Sequence, residues 1–265
     1  MTEVRALLLA AGKGSRLRPL TDRWPKCLML ISGRPLLEYW LCTLAMEGIS
    51  DVVVNVHHHS SRVEEFLTRK RFRDWVIGVY EPELLGTAGT LLKTSEQPFR
   101  KTTLLIHADN WCQCDFSAFL EYHFNSRPDN TVMTMMTFQT PTPETCGIVE
   151  LDKNGVVQQL HEKVKHPPGN LANGAVYLLE PECLQWLNLY PDNKDFSTDV
   201  LPHFVGRIAT WKNNEIHRDI GSINALRRAQ SDPLPEPCWP EIDLWQEEFE
   251  RSSTFINLNE ALHIG

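Results

Sequence analysis

Leu8-Leu9-Ala10-Ala11-Gly12-Lys13-Gly14-Ser15-Arg16-Leu17-Arg18-Pro19-Leu20-Thr21, followed closely by Pro25-Lys26, sets two glycines and several cations directly behind an apolar run. Glycine lacks a Cβ, so Gly12 and Gly14 let backbone N–H groups come close to a bound anion, while Arg16 and Lys26 supply positive charge. Two glycines one residue apart also suit any tight strand-to-helix turn. The wider stretch narrows the choice. A dinucleotide-binding loop would carry its third glycine at the position of Leu17, and no Gly-Lys-Ser/Thr closes a Walker loop.

Working outward, the apolar run 4–10 reads as a buried strand, and the first half continues as strands 51–56, 76–80 and 103–107 alternating with helical patterns at 36–47, 63–70 and 88–94. Such alternation predicts an α/β fold with a mainly parallel sheet covered by helices. Ligands of such sheets sit beyond the carboxyl ends of the strands, which directs attention to residues 11–26, 81–89 and 108–110. The second half reads as strands 131–138, 148–151, 156–160 and 172–179, with turn chemistry such as Lys153-Asn154-Gly155 between them. The proline-rich stretch 231–240 cannot continue a helix. We therefore expect one main domain over 1–230, then a linker and short helical tail over 231–265. No repeat with the hexapeptide period of a β-helix is present.

The charge balance is 26 − 34 = −8, which excludes a general attraction to nucleic acid or anionic lipid and leaves any anionic substrate to local cations. The 7 cysteines show no repeated metal-type spacing, no signal-peptide pattern precedes the first strand, and no apolar run approaches membrane-spanning length. The expectation is a cytoplasmic protein with free thiols that binds neither membrane nor nucleic acid, as monomer or homodimer.

The opening stretch resembles the signature of the nucleoside-diphosphate-sugar pyrophosphorylases, the sugar-1-phosphate nucleotidyltransferase family, whose pattern is G-x-G-[ST]-R-[LM]-x-P-[LM]-T followed by P-K. Further resemblance runs through Glu81-Pro82-Glu83-Leu84-Leu85-Gly86-Thr87-Ala88-Gly89, His107-Ala108-Asp109-Asn110, His161-Glu162-Lys163, Asn170-Leu171-Ala172-Asn173-Gly174 and Asp219-Ile220-Gly221. The resemblance implies a Rossmann-like mixed sheet and transfer of a nucleoside monophosphate from a nucleoside triphosphate to a sugar 1-phosphate, with Mg²⁺ as cofactor and pyrophosphate as leaving group. It implies a nucleotide set of Ala10, Ala11, Gly12, Gly14, Ser15, Arg16, Lys26, Gly86, Thr87 and Gly89, and a sugar set of Asn110, Gly147, Glu162, Lys163 and Asn173. Asp109 and Asp219 become the metal ligands, and Arg16, Lys26, Asp109, Lys163 and Asp219 the residues that carry catalysis. The mannose- and heptose-1-phosphate guanylyltransferase branch is the most similar, which implies GTP as donor; uridylyl transfer stays open.

Each residue also has a plainer reading. Asp109 is equally a turn or capping residue, Asp219 a helix cap, Glu162-Lys163 an exposed ion pair, and Gly86 and Gly89 turn and helix-start positions. A nucleotide-sugar-binding regulator without activity could share the fold. A transferase acting on choline phosphate or a molybdopterin would lack the sugar set. His57-His58-His59 has no acidic or cysteine partner at metal-ligand spacing and reads as a solvated loop near the nucleotide. Cys112-x-Cys114 lacks the gap of zinc or redox motifs, Cys42 and Cys183 lie in apolar helical patterns, and Ile242, Leu244, Trp245 and Phe249 mark a tail helix that packs back on the domain.

Overall fold

Val52, Val53, Val54 and Val56 are almost wholly buried, and a β-branched run of that kind favours a strand enclosed on both faces. In the computed structural model, which describes residues 4–95 and 97–263, this strand spans Asp51–Val56 and pairs in parallel with Val76–Tyr80, Val52 opposite Val76. By contacts the chain divides into two compact units. One comprises the residues up to Leu7, Leu84–Ile106 and Cys114–Glu215; the other comprises Leu8–Glu83, His107–Gln113 and the chain from Ile216 onward. The strands Val4–Leu9 and Thr102–His107 each begin in the first unit and end in the second.

In the first unit the strands run in the order Val157–Glu162, Gly147–Leu151, Leu171–Leu179, Thr102–His107, Val4–Leu9. The long strand Leu171–Leu179 also pairs antiparallel with Met133–Gln139, which pairs in parallel with Ile208–Lys212. In the second unit the order is Val4–Leu9, Asp51–Val56, Val76–Tyr80. The result is the expected α/β class, a mixed sheet with helices. Among the described residues no helix is long and apolar enough to cross a membrane.

Several boundaries move for local reasons. The helix expected at 63–70 is Ser60–Leu67, entered through His59 in the left-handed region at φ 54°. The strand expected at 131–138 starts only at Met133, because Thr131 donates through both its N–H and its hydroxyl to the Pro128 carbonyl and closes a turn. The short ribbon of Asn110–Gln113 against Ile216–Asp219 has no period-2 apolar signal and was not expected.

The tail packs within the second unit. Phe249 stacks on Trp24 at 4.8 Å and on Trp245 at 4.9 Å, and Trp245 meets Phe66 edge-on at 5.2 Å. Ile242 and Leu244, assigned to the same packing face from sequence, are instead 54% and 77% exposed. Helix Leu244–Glu250 starts after Ile242 and holds Leu244 at its first, outward position, with Asp243 as its cap accepting from the Gln246 N–H, so the packed face runs through Trp245 and Phe249. A second correction concerns the thiols. Cys42, on helix Leu36–Met46, is bonded to Cys238 of the linker, so the linker is stapled to that helix rather than loosely attached. A separation of 196 residues hid that pairing. Cys27, Cys112, Cys114, Cys146 and Cys183 are free, as expected.

Candidate active site

In the second unit the strand Val4–Leu9 ends beside two neighbours, and buried polar groups tie the ends together. The Ala10 N–H donates to Asn55 Oδ1 (2.7 Å), and Asn55 Nδ2 donates to Glu81 Oε1 (3.2 Å). Ala10, placed in the nucleotide set from sequence, thus has its N–H committed within the protein. The loop that follows is exposed through Gly12 and Lys13, and an added Cβ at Gly12 would meet nothing within 4 Å. Gly14 is different. It lies in the left-handed region at φ 60°, its carbonyl accepts from the Thr21 hydroxyl (2.8 Å), and a Cβ there would stand 2.7 Å from Thr21 Cγ2. Only glycine fits that turn.

The turn carries the chain to Lys26, whose side chain is only 6% exposed. Its ammonium donates to Asp109 Oδ2 (2.7 Å) and Asp219 Oδ1 (3.2 Å), and Arg16 Nη2 donates to Asp219 Oδ2 (3.1 Å). Two cations and two carboxylates, drawn from three distant parts of the sequence, form one cluster. Burial alone would push the Asp109 carboxyl up, but the Lys26 ammonium and the neighbouring His107 hold it below its ordinary range. Asp109 follows strand Thr102–His107, and its carbonyl accepts from the Ile220 N–H (3.3 Å), which fixes it beside Asp219. Gly221 completes the cluster, since a Cβ there would stand 2.6 Å from both Arg16 Nη2 and Asp219 Oδ2. The capping alternative for Asp219 is settled otherwise: Ser222 caps helix Ile223–Ala229, accepting from the Ala225 N–H.

Lys26 shows that Asp109 and Asp219 can face a single cation, and hard carboxylate oxygens are the donors that Mg²⁺ takes. Among the described residues no group of three or more His, Cys, Asp or Glu forms a metal cage. Mg²⁺ is usually held by one or two carboxylates with water and substrate phosphates filling the rest. His57 bonds through Nδ1 to the Glu81 carbonyl, and His58 and His59 through Nε2 to the Thr21 carbonyl. The three histidines are thus partly buried, with His58 and His59 bracing the signature loop at Thr21 and His57 held at Glu81, instead of forming the solvated loop expected.

The first unit holds a second cluster. Glu162 stands opposite Gly147 in the antiparallel register, and its Oε2 would lie 2.5 Å from a Cβ at Gly147, with Asn173 Cβ 3.8 Å away on the other side. Lys163, at φ 49°, turns its ammonium back to Glu162 Oε1 (3.1 Å) and is two-thirds exposed. Asn173 Nδ2 donates to the Tyr177 hydroxyl (2.7 Å) while its Oδ1 accepts from the Ala175 N–H (2.9 Å), across a bulge in the strand. Burial pushes the Tyr177 hydroxyl far up, so it stays protonated. Gly147, Glu162, Lys163 and Asn173 are therefore brought together as expected. Asn110 belongs to the second unit, in register with Asp219.

Gly86 and Thr87 are tied to the segment 194–196. Gly86 has φ 78° and a Cβ there would collide with the Lys194 carbonyl, the Phe196 N–H donates to Thr87 Oγ1 (2.6 Å), and the Ala88 N–H donates to the Lys194 carbonyl (2.9 Å). Gly89 sits within helix Gly86–Thr94. Sequence reasoning missed Asn55, Tyr177 and Gly221 as builders of these clusters. The signal for Asn55 was legible, a lone amide in the run Val52-Val53-Val54-Asn55-Val56.

Comparison with known proteins places the chain in a family. The family model described as nucleotidyl transferase matches residues 5–235. The mannose-1-phosphate guanylyltransferase catalytic subunit beta of Drosophila melanogaster is 30% identical over 209 residues, 76% of this chain and 54% of the relative. A UTP--glucose-1-phosphate uridylyltransferase from Synechocystis is 28% identical over 220 residues, 76% of this chain and 55% of its own length. The chain thus spans about half the length of these relatives. In fold it is similar to HddC from Yersinia pseudotuberculosis, solved with GMP-PN, at a TM-score of 0.71 and 22% identity, covering 87% of this chain and 98% of that one. The matched region runs through both charged clusters, and the chain belongs to the nucleotidyl transferase family.

Proposed function

We propose that this protein is a sugar-1-phosphate nucleotidyltransferase that joins the nucleoside monophosphate of GTP to a mannose- or heptose-type 1-phosphate. The observation that carries the reading is the four-residue cluster of Arg16, Lys26, Asp109 and Asp219 behind the glycine loop. In the reaction a phosphate oxygen of the sugar attacks the α-phosphorus of the triphosphate, the bond to the bridging β-phosphate oxygen breaks, and pyrophosphate leaves. No side chain needs to form a covalent bond. The protein's work is orientation and stabilisation of charge in the transition state. Bound Mg²⁺, held by Asp109 and Asp219, would neutralise phosphate charge. Arg16 and Lys26 serve the triphosphate, Lys163 the sugar phosphate, and Glu162 and Asn173 offer an acceptor and an amide for sugar hydroxyls. Residues 1–230 form the catalytic region in this reading, with 231–265 as an appended tail.

The choice of GTP rests on the names of the relatives, several of which are mannose-1-phosphate guanylyltransferases. The Synechocystis relative keeps uridylyl transfer as a second reading. A cytoplasmic setting, the proposed one, has the Cys42–Cys238 disulfide against it, since such bonds are rare there. The deciding experiment is Mg²⁺-dependent pyrophosphate release measured with each of GTP, UTP, CTP and dTTP against mannose, heptose and glucose 1-phosphates. GTP is expected to exceed the others by at least about tenfold, because a wrong base leaves buried polar groups unpaired. A preference for UTP or dTTP would overturn the guanylyl reading, and no release with any pair would overturn the enzyme reading.

The two clusters should fail differently. Arg16→Ala is expected to weaken triphosphate binding by roughly tenfold or more, the effect of a lost charge-assisted hydrogen bond. Lys163→Ala should leave triphosphate affinity intact and raise KM for the sugar phosphate by a similar factor. Calorimetric titration with the triphosphate checks both, and affinity lost only in Lys163→Ala would exchange their roles.

A further inference from the structure

Asp109 and Asp219 are held at the end of a small two-stranded ribbon, Asn110–Gln113 against Ile216–Asp219, in which Asp219 faces Asn110 and Arg218 faces Trp111. Successive side chains on a strand leave opposite faces, so the Arg218–Trp111 pair lies on the side away from Asp219. One carboxylate takes that whole side. Asp232 Oδ2 accepts from the Trp111 indole N–H (3.0 Å), and its two oxygens accept a fork from Arg218, Nη2 to Oδ1 at 2.9 Å and Nη2 and Nε to Oδ2 at 3.1 and 3.3 Å. The next residue extends the grip, the Pro233 carbonyl accepting from Gln113 Nε2 (2.5 Å). Trp111 is fully buried and the Asp232 side chain is only 14% exposed, so the bond between them is largely shielded from water.

We infer that Asp232 is a positioning residue for the proposed reaction, fixing the spacing of Asp109 and Asp219 by clamping the two strands that carry them. It rests on the metal reading given under Proposed function. The clamp has two physical effects. It ties Trp111, two residues after Asp109, to Arg218, the residue before Asp219, so the ribbon cannot splay without breaking a bidentate ion pair and exposing a buried indole N–H. It also neutralises Arg218, whose part-buried guanidinium would otherwise be left without its counter-charge on the far side of the ribbon. Trp40 supports the same ribbon from beneath, its indole N–H donating to the Asn110 carbonyl (2.9 Å).

The test uses the full chain and Mn²⁺ alone as the probe, followed by its paramagnetic resonance signal on titration into the free protein, alongside steady-state kinetics. Asp232→Ala is expected to weaken Mn²⁺ binding roughly tenfold and to lower kcat by a similar factor with KM for the triphosphate within about twofold, the size typical of losing a group that orients a metal ligand. Asp232→Glu should recover part of the loss. Asp232→Asn, which keeps an acceptor for Trp111 but loses the charge facing Arg218, should fall between and decides the matter if the alanine variant does not fold. Mn²⁺ affinity and kcat unchanged within twofold in both Asp232→Ala and Asp232→Asn would overturn the inference. If Asp109→Asn abolishes Mn²⁺ binding while the Asp232 variants do not alter it, the metal reading stands and this inference falls. If Asp109→Asn binds Mn²⁺ normally, the metal reading is what fails.

Discussion

Asp109→Asn should lower turnover by at least about a hundredfold while leaving the fold intact, because it removes a charged oxygen donor from the metal pair and keeps the side chain's shape. The geometry explains why so small a change should act so strongly. Asp109 is the closer of the two carboxylates to the Lys26 ammonium, 2.7 Å against 3.2 Å for Asp219. That ammonium is nearly buried, so its orientation depends on both partners. With an amide at position 109, Lys26 would keep an acceptor there but lose its nearer charged partner, leaving Asp219 as the one carboxylate facing both cations. Glu182→Gln is the matched control. It removes one charge from an exposed carboxylate that pairs with Arg207 at 2.8 Å, and it should change turnover by less than about twofold, as surface pairs contribute little. Pyrophosphate release at saturating substrates, with circular dichroism and melting for both variants, checks the pair. Turnover within about threefold of the parent in Asp109→Asn would remove Asp109 from the site.

How far the site could be read from the sequence depended on whether a residue's neighbours were local. Gly14 was legible because its left-handed turn, Thr21 and Lys26 all lie within one short stretch, and Thr21 and Lys26 crowd the place where a Cβ on Gly14 would stand. The strands of the first half were legible because runs such as Val52-Val53-Val54 are buried on both faces and leave an unbroken apolar signal. The ribbon that seats Asp109 and Asp219 was not, because its strands are four residues each and of mixed polarity, and their pairing spans more than a hundred positions. The same distance hid the Cys42–Cys238 bond and the duty of Asp232. Ala10 shows a different limit. Its place in the signature was correctly seen, but whether an N–H faces a ligand or an internal acceptor depends on a neighbouring strand, here on Asn55. Gly86 shows the same limit: a Cβ there would meet Lys194, more than a hundred residues on.

The largest stability effect is expected not at the site but beneath the tail. Arg69 follows helix Ser60–Leu67 and is only 2% exposed; its Nη1 donates to Glu38 Oε2 (2.5 Å) and its Nε to Asp243 Oδ2 (2.8 Å). The guanidinium lies over three rings, at 5.0 Å from Phe66, 5.1 Å from Phe72 and 4.7 Å from Trp245. A planar cation that stacks and forks at once is what lysine cannot supply. Glu38, itself 3% exposed, cannot regain water when Arg69 is removed, and is left to Arg71, 3.0 Å from its other oxygen. Breaking a buried pair by removing one partner typically costs about 3–5 kcal/mol, and Arg71 should hold the loss near the lower end. For a chain of this size each kcal/mol shifts the melting midpoint by about 2–4 °C, so Arg69→Ala should melt roughly 6–12 °C lower. The pair also anchors the tail, since Asp243 caps helix Leu244–Glu250 and burial of its carboxyl is outweighed by Arg69, which holds it ionised below its ordinary range. Proteolysis of Arg69→Ala should therefore release the tail first, while turnover at low temperature stays within about threefold because no group of the two charged clusters is touched. Thermal unfolding of Arg69→Ala, Arg69→Lys and Glu38→Gln side by side checks the ranking. A shift under about 2 °C in Arg69→Ala would show that the three rings and Arg71 hold the tail without it.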